Sequence, residues 1–139
     1  MVRHSLLTAK VMAAEQFIGR VREKLPDSFA TFSKDKDLQD VVLFNLIQAI
    51  QTCVDIAAHI VSDERMGEAG SMNEFFYRLQ EKQVIAIDLT ERLVKAVGFR
   101  NVCVHGYLDL DFNIAYQAAS TGVTDLEDFL AAVVRRYLS

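Results

Sequence analysis

Apolar side chains recur at steps of three and four residues along most of the chain, the spacing of helices that bury one face. Residues 5–25 carry one such row of apolar side chains, or seam, and Pro26 ends the predicted helix. Residues 37–62 carry two adjacent seams, as expected of a helix in the centre of a bundle. The first comprises Leu43, Ile47, Ile50, Val54, Ala57 and Val61, and the second Val42, Leu46, Ala49, Cys53, Ile56 and Ile60. No stretch of convincing length alternates as a strand does, so the pattern predicts an all-α fold.

Polar and glycine-containing stretches predict where the helices are joined. Residues 27–36 are predicted as a polar connection, and residues 63–70 as a loop. Residues 71–74, Ser-Met-Asn-Glu, form a capping-box sequence that opens a short helix. Residues 88–91, Asp-Leu-Thr-Glu, are a related start signal for a longer helix that ends near residues 109–111. That helix is predicted to turn four side chains towards the core: Leu93, Val97, Val104 and Leu108.

The C-terminal third of the chain is predicted to hold two more helices. Residues 112–120 are compatible with a short helix, and Gly122 is expected to break the chain after it. Residues 124–127, Thr-Asp-Leu-Glu, form a second capping box that opens the last helix. The whole pattern predicts an up-and-down bundle of about five helices in one domain, residues 1–139.

Composition narrows the class of protein. The chain has 139 residues, a 51% hydrophobic content and a formal net charge of −4, which counts against broad, nonspecific binding of nucleic acid but permits a local cationic cleft. No uninterrupted apolar run approaches the ~20 residues of a membrane span, and Lys10 interrupts the N-terminal apolar stretch, so a cytoplasmic protein without a signal peptide is expected. Two cysteines and three scattered histidines have no metal-site spacing. Cys53 and Cys103 are predicted to be reduced core residues.

Residues 99–107 gather an unusual set of polar side chains in apolar, helix-compatible surroundings. Arg100, Asn101, His105 and Tyr107 supply a guanidinium, an amide, an imidazole and a phenol. Guanidinium binds phosphate oxygens through a rigid fork of donors, and imidazole is the side chain best suited to proton exchange near neutral pH. The segment is therefore a candidate phosphate-handling site.

The spacing of these residues on one helix limits how they can act together. Asn101 and His105 share a face, whereas Arg100 and His105 diverge by roughly 140° on a straight helix. The helix could bend near Gly98 or Gly106, or a second copy of the chain could supply the missing half across a two-fold axis. We favour the homodimer.

A polar stripe at helical spacing runs along the central helix and comprises Gln48, Thr52, Asp55 and His59. It is either a solvated face or the lining of a cleft beside the Arg100/His105 segment. Asp55 and His59, one turn apart, could form an acid/base pair, although an ordinary hydrogen-bonded pair is the favoured interpretation.

The pattern Arg100-Asn101-x-x-x-His105-x-Tyr107 resembles the R-x4-H-x-Y motif of HEPN-domain ribonuclease toxins of the HepT type. The lead-in at residues 88–99 is similar to that family as well, as are residues 41–61 and residues 124–129. The resemblance covers roughly residues 38–138. Gly106 is a difference, since relatives often carry a charged residue there, but it leaves the motif intact.

The resemblance implies a metal-independent endoribonuclease toxin of a type VII-like toxin–antitoxin system, with a composite active site at a homodimer cleft. It implies catalytic roles for Arg100, Asn101 and His105, with RNA as substrate and no cofactor or metal. It also implies a minimal nucleotidyltransferase as antitoxin, which transfers AMP to Tyr107. The alternative is a non-catalytic helical module that partners a nucleotidyltransferase, for which the acidic net charge is suitable.

Overall fold

The computed structural model describes residues 1–139 and contains helices but no strand. The α-helices are α1 (His4–Lys24), α2 (Phe29–Lys34), α3 (Lys36–Asp63), α4 (Met72–Glu81), α5 (Ile87–His105), α6 (Phe112–Gln117) and α7 (Val123–Val133). A 3-10 turn, Tyr107–Asp109, follows α5, and π-helical segments at Ala118–Gly122 and Val134–Leu138 follow α6 and α7. Five of the α-helices have ten residues or more, so the predicted all-α bundle of about five helices is confirmed.

The 28-residue helix α3 forms the centre of the bundle. Its two predicted seams are buried, with Ile47 only partly so, against α1 on one side and α4, α5 and α7 on the others. A stretch of α3 with a mean hydropathy of 1.6 is long and apolar enough to cross a membrane, but 56% of it lies buried inside the protein, as in the core helix of a soluble bundle. Cys53 and Cys103 are both free and buried.

The predicted polar connection at residues 27–36 is wrong, because it contains α2. The side chain of Ser28 caps that helix by accepting a hydrogen bond from the backbone N–H of Thr31. Phe32 is completely buried and meets Phe112 and Tyr116 edge-on, at centroid distances of 6.3 and 5.5 Å. These aromatic contacts hold the short helix against α6.

The capping predictions for α4 and α5 are only partly right. Ser71 occupies the N-cap position of α4, but its side chain makes no capping bond; Glu74 instead accepts a hydrogen bond from the backbone N–H of Gly70 at 2.7 Å. The helix α5 begins at Ile87, one residue before the predicted signal. Asp88 therefore lies in the first turn, where an acidic side chain suits the helix dipole.

The predicted break at Gly122 is also wrong. Gly122 has helical angles, φ −63° and ψ −30°, and the π-helical segment Ala118–Gly122 joins α6 to α7 directly. Residues 124–127 consequently lie inside the helix rather than cap it. Their acidic side chains make tertiary contacts instead: Asp125 accepts a hydrogen bond from Arg92 at 2.5 Å, and Glu127 pairs with Arg22.

Two residues that were predicted to face the core are exposed. Leu93 and Val97 are buried as expected, but Val104 is 47% exposed and Leu108 is 98% exposed. Val104 lies within the last turn of α5. Leu108 lies beyond the helix, because α5 ends at His105 and Gly106 leaves the helical region at φ −138° and ψ 39°. Leu108 therefore lies in the 3-10 turn outside the predicted helical register.

Candidate active site

The C-terminal end of α5 lies beside the N-terminal end of α3, so the two helices run antiparallel. The hydroxyl of Tyr107 donates a hydrogen bond to the carboxylate of Asp40 at 2.9 Å. Towards the N-terminal end of α5, Ala96 and Phe99 line a groove of about 320 Å³ together with Leu46 and Ile50 of α3. The segment that contains Arg100 and Asn101 lies between these two points of contact.

Two nitrogens of the Arg100 guanidinium differ in their hydrogen bonding: Nη1 has a partner within the chain and Nε has none. Its Nη1 donates to Oδ1 of Asn101 at 2.9 Å, which fixes the guanidinium and the amide relative to each other. Its Nε is buried and has no hydrogen-bond partner within the chain. An unpaired buried donor costs free energy, roughly 1–3 kcal/mol, that an incoming acceptor such as a phosphate oxygen would recover.

His105 is the last residue of α5 and is exposed, and its side chain makes no hydrogen bond within the chain. The helix runs without a break through Gly98, and Gly106 follows His105, so neither glycine breaks the helix between Arg100 and His105. Arg100 and His105 therefore diverge by roughly 140° on one helix. No hydrogen bond joins them within a single chain.

Tyr107 is half-buried and directs its hydroxyl to Asp40 rather than to Arg100. Lys36, one turn before Asp40 on α3, lies 3.6 Å from the same carboxylate oxygen and 5.7 Å from the centroid of the tyrosine ring. Partial burial raises the pKa of Tyr107, and the hydrogen bond to the carboxylate of Asp40 raises it further.

The sequence interpretation did not single out Lys36 or Asp40. Asp40 is 67 positions from Tyr107 in the chain, so no local spacing connects them. The one available signal was the lysine–aspartate pair at i and i+4 in the first turns of α3, a spacing that is common on exposed helix faces.

The polar stripe of α3 does not form one continuous feature. Thr52 is buried, and its hydroxyl donates to the backbone carbonyl of Gln48 at 2.7 Å. Asp55 accepts a hydrogen bond from Gln51 at 3.2 Å, whereas His59 lies 3.3 Å from Nη2 of Arg3. The suggested pairing of Asp55 with His59 is therefore wrong.

The exposure of the stripe also differs from that of a solvated face, since Thr52 is buried and the other three residues are half-buried. A cleft-lining role for Gln48, Thr52, Asp55 and His59 stays a prediction.

Exposed apolar side chains lie in or directly after the Arg100–Tyr107 segment and in the nearby part of α3. The exposed fractions are 59% for Phe44, 52% for Val102, 47% for Val104 and 98% for Leu108. Phe44 lies one helical turn after Asp40, and the other three flank His105 and Tyr107 in the chain. An exposed apolar patch beside polar groups is typical of a surface that binds a macromolecule.

Comparison with known proteins finds similar chains that match most of this one. Residues 14–133 match the family described as Ribonuclease HepT-like. The chain is 29% identical to the "mRNA nuclease HepT" of Shewanella oneidensis over 94% of its own length and 97% of that protein. It is 32% identical to the "tRNA nuclease HepT" of Aphanizomenon flos-aquae over 76% and 74% of the two chains.

Among solved structures, the tri-AMPylated HEPN toxin of Shewanella oneidensis, in complex with its MNT antitoxin, superimposes with a TM-score of 0.88. The match is 29% identical and covers 94% of this chain and 98% of that one. The residue pattern, the fold and the extent of these matches agree, and the chain belongs to the ribonuclease HepT-like family.

Proposed function

We propose that this protein is a metal-independent endoribonuclease toxin whose active site forms at the cleft of a homodimer. The observation that carries the proposal is the buried, unpartnered Nε of Arg100, which is fixed by Asn101 on the helix that ends in the exposed His105. The proposal assigns to this helix a guanidinium with unused hydrogen-bonding capacity, which would bind phosphate, and a proton-transfer group, His105. The nuclease names of both curated relatives support the same assignment.

The proposed reaction uses the RNA's own nucleophile. A base removes the proton of a 2′-hydroxyl, whose oxygen attacks the adjacent phosphorus, and the bond to the 5′-oxygen breaks as an acid protonates that oxygen. His105 acts as base or acid, and His105 of the partner subunit takes the other role. Arg100 stabilises the negative charge on the phosphate oxygens, and Asn101 orients the phosphate.

A second copy of the chain completes this arrangement. Arg100 and His105 diverge on one helix, and neither is bonded to the other within the chain. The exposed apolar residues Val104 and Leu108 flank His105. A two-fold interface contains the same surface of both subunits. Burial of these side chains in such an interface would therefore bring the two copies of α5 face to face.

The proposed antitoxin is a minimal nucleotidyltransferase of a type VII-like system in the cytoplasm. The related Shewanella toxin occurs as a tri-AMPylated protein in complex with an MNT antitoxin. In this chain the proposed acceptor is Tyr107. AMP on its oxygen would add a bulky phosphodiester anion beside the RNA site, and this anion would pair with Arg100 and block entry of the RNA phosphate.

The first experiment distinguishes the nuclease from a non-catalytic binding module. Purified protein is incubated with RNA in EDTA, and the products are resolved by gel electrophoresis. We expect cleavage, and we expect Arg100→Ala to remove it while the circular dichroism spectrum stays helical. RNA that stays intact with the folded wild-type protein would favour the binding module.

The second experiment tests the acceptor. The protein is incubated with its cognate nucleotidyltransferase, ATP and magnesium, and is then weighed intact. A gain of one or more AMP units is expected for the wild type and not for Tyr107→Phe, which should stay toxic to cells when the antitoxin is present. Equal modification of Tyr107→Phe would place the acceptor at another residue.

A further inference from the structure

The hydroxyl of Tyr107 is held by a carboxylate that belongs to a different helix. Asp40 lies in the second turn of α3 and accepts the phenolic proton at 2.9 Å. Lys36 lies 3.6 Å from the same carboxylate oxygen and 5.7 Å from the centre of the tyrosine ring. The proposed cleavage of RNA uses neither Asp40 nor Lys36, so this cluster needs its own explanation.

The surroundings leave the phenol accessible from outside. The Tyr107–Asp40 hydrogen bond lies at the surface, and the next residue, Leu108, is 98% exposed. At Gly106 the space that a side chain would occupy meets only the carbonyl oxygen of Val102, at 3.4 Å. A second protein can therefore approach the phenol oxygen from the solvent side while Asp40 holds its proton on the other.

We propose that Asp40 is the general base that accepts the proton of Tyr107 when AMP is transferred to it, and that Lys36 positions the carboxylate of Asp40 for this step. The proposal rests on the proposed function, in which Tyr107 is the acceptor. The catalytic carboxylate would thus be supplied by the toxin itself and would not have to come from the antitoxin.

The step balances as a substitution at phosphorus. The phenol oxygen forms a bond to the α-phosphorus of ATP, the bond from that phosphorus to the bridging oxygen of the β-phosphate breaks, and pyrophosphate leaves. The phenolic proton passes to Asp40 and from there to solvent. A carboxylate that accepts the proton of an attacking hydroxyl is an established device in phosphoryl transfer.

The environment of the Tyr107 phenol favours removal of its proton by a base over spontaneous ionisation of the phenol. The titratable groups near the ring are Asp40, Lys36 and Cys103, and partial burial together with Asp40 raises the pKa of Tyr107. Free phenolate is therefore scarcer here than at an ordinary tyrosine. A proton acceptor already in hydrogen-bond contact removes the need for a preformed phenolate.

The test uses Asp40→Asn, which keeps an oxygen that can accept the tyrosine hydrogen bond but cannot take the proton. Transfer from radiolabelled ATP by the antitoxin is measured at varied toxin concentrations. If Asp40 is the base, kcat for transfer should fall by roughly 10²-fold or more, with little change in KM for the toxin. The rate for the variant should then increase with pH as the phenolate becomes more abundant.

A mechanism in which transfer uses free phenolate predicts that Asp40→Asn does not lower the transfer rate. If transfer used free phenolate, loss of the carboxylate would lower the pKa of Tyr107, and Asp40→Asn would be modified as fast as the wild type or faster. That result would overturn the proposal. Asp37→Asn is the matched control, because Asp37 is an exposed aspartate in the first turn of the same helix and should leave the transfer rate unchanged.

Two further readouts separate this proposal from the function on which it rests. Asp40→Asn should cleave RNA at the wild-type rate, because Asp40 has no role in cleavage, and a loss of cleavage in a folded variant would contradict the assignment. If wild-type Tyr107 receives no AMP, the acceptor assignment fails together with this proposal. If Tyr107 is modified and Asp40→Asn is not slower, only the role of Asp40 fails.

Discussion

At each end of α3 a cation, a carboxylate and a ring meet. At its C-terminal end Arg3 contacts Asp63 and His59, and at its N-terminal end Lys36 and Tyr107 contact Asp40. Arg3 donates three hydrogen bonds to the Asp63 side chain, from its backbone N–H, Nε and Nη2, and the N-terminal amino group donates to the Asp63 carbonyl at 3.1 Å. At the other end a single hydrogen bond at 2.9 Å holds Tyr107.

The difference teaches that composition alone does not identify a reactive site. In the C-terminal group the cation, Arg3, contacts His59, and the carboxylate of Asp63 accepts three hydrogen bonds from Arg3. The N-terminal group is open: its phenol is accessible, and the nearby segment holds an exposed His105 and an unpaired Nε of Arg100. Unsatisfied bonding capacity, and not residue type, distinguishes the two ends.

The largest expected effect is on the rate of RNA cleavage, which substitution of His105 should lower and substitution of His59 should not. His105→Ala should lower the rate of RNA cleavage by roughly 10² to 10⁴, the usual contribution of an acid/base group, without a change in thermal stability. His59→Ala should cleave RNA at close to the wild-type rate, because its ring is engaged by Arg3. Single-turnover cleavage of a labelled RNA measures both, and a folded His105→Ala variant with undiminished cleavage would place the site elsewhere.

The next largest effect is expected from a substitution in the exposed apolar surface near His105, which should change both the oligomeric state and cleavage. Leu108→Asp places a charge in the proposed two-fold interface, so it should shift the protein to monomers and lower cleavage together. Ile87→Asp is the matched control, since Ile87 is 61% exposed at the opposite end of α5. Analytical ultracentrifugation at micromolar concentration gives the oligomeric state. A wild-type protein that is monomeric and still cleaves RNA would rule out the composite site.

The two arginines should differ in the sign of their effect on stability. Arg100→Met removes a buried donor without a partner, a group that costs roughly 1–3 kcal/mol when unpaired, and so it should maintain or raise Tm while removing cleavage. Arg3→Met removes the exposed bonds to Asp63 and should lower Tm slightly while cleavage is maintained. Differential scanning calorimetry measures both, and a marked loss of stability in Arg100→Met would show that Arg100 is mainly structural.

The smallest effect is the pH dependence of the C-terminal network. Hydrogen bonds from Arg3 hold the pKa of Asp63 below its usual range. A carboxyl group with a lowered pKa in the folded state contributes stability above its unfolded pKa, about 3.9, and the contribution is lost as the pH falls through the folded value. The Tm difference between wild type and Arg3→Met should therefore be present at pH 7 and shrink as the pH falls below about 4. A difference that stays constant down to pH 2 would mean that the arginine acts by packing alone.

Helical periodicity was sufficient to predict much of the fold. The two seams of α3 and the apolar face of α1 are buried where the spacing placed them, because burial on a regular helix follows directly from sequence position. Gly122 and the two capping boxes were less informative. Gly122 is helical within the continuous run from α6 to α7, and the carboxylates of Asp125 and Glu127 contact Arg92 and Arg22.

The candidate site was predictable only where it is local. Arg100, Asn101, His105 and Tyr107 lie within eight consecutive residues, so one segment of sequence reveals them. Asp40 and Lys36 reach Tyr107 only through the antiparallel packing of α3 and α5. Leu108 was misassigned because the apolar pattern continues in the sequence beyond the end of α5, whereas Val104 is exposed within the last turn of that helix.

The pairing of α1 with α3 also determines the order in which the protein can be completed during synthesis. The chain is made from its N-terminus, and α1 packs more extensively on α3 than any other element does. Because only the six-residue α2 separates these helices in the chain, the long apolar α3 can be covered early by α1, which limits its exposure to aggregation and to membranes. Arg100 and His105 emerge later, so contacts between α1 and α3 can form before the residues proposed to make the protein toxic have been synthesised.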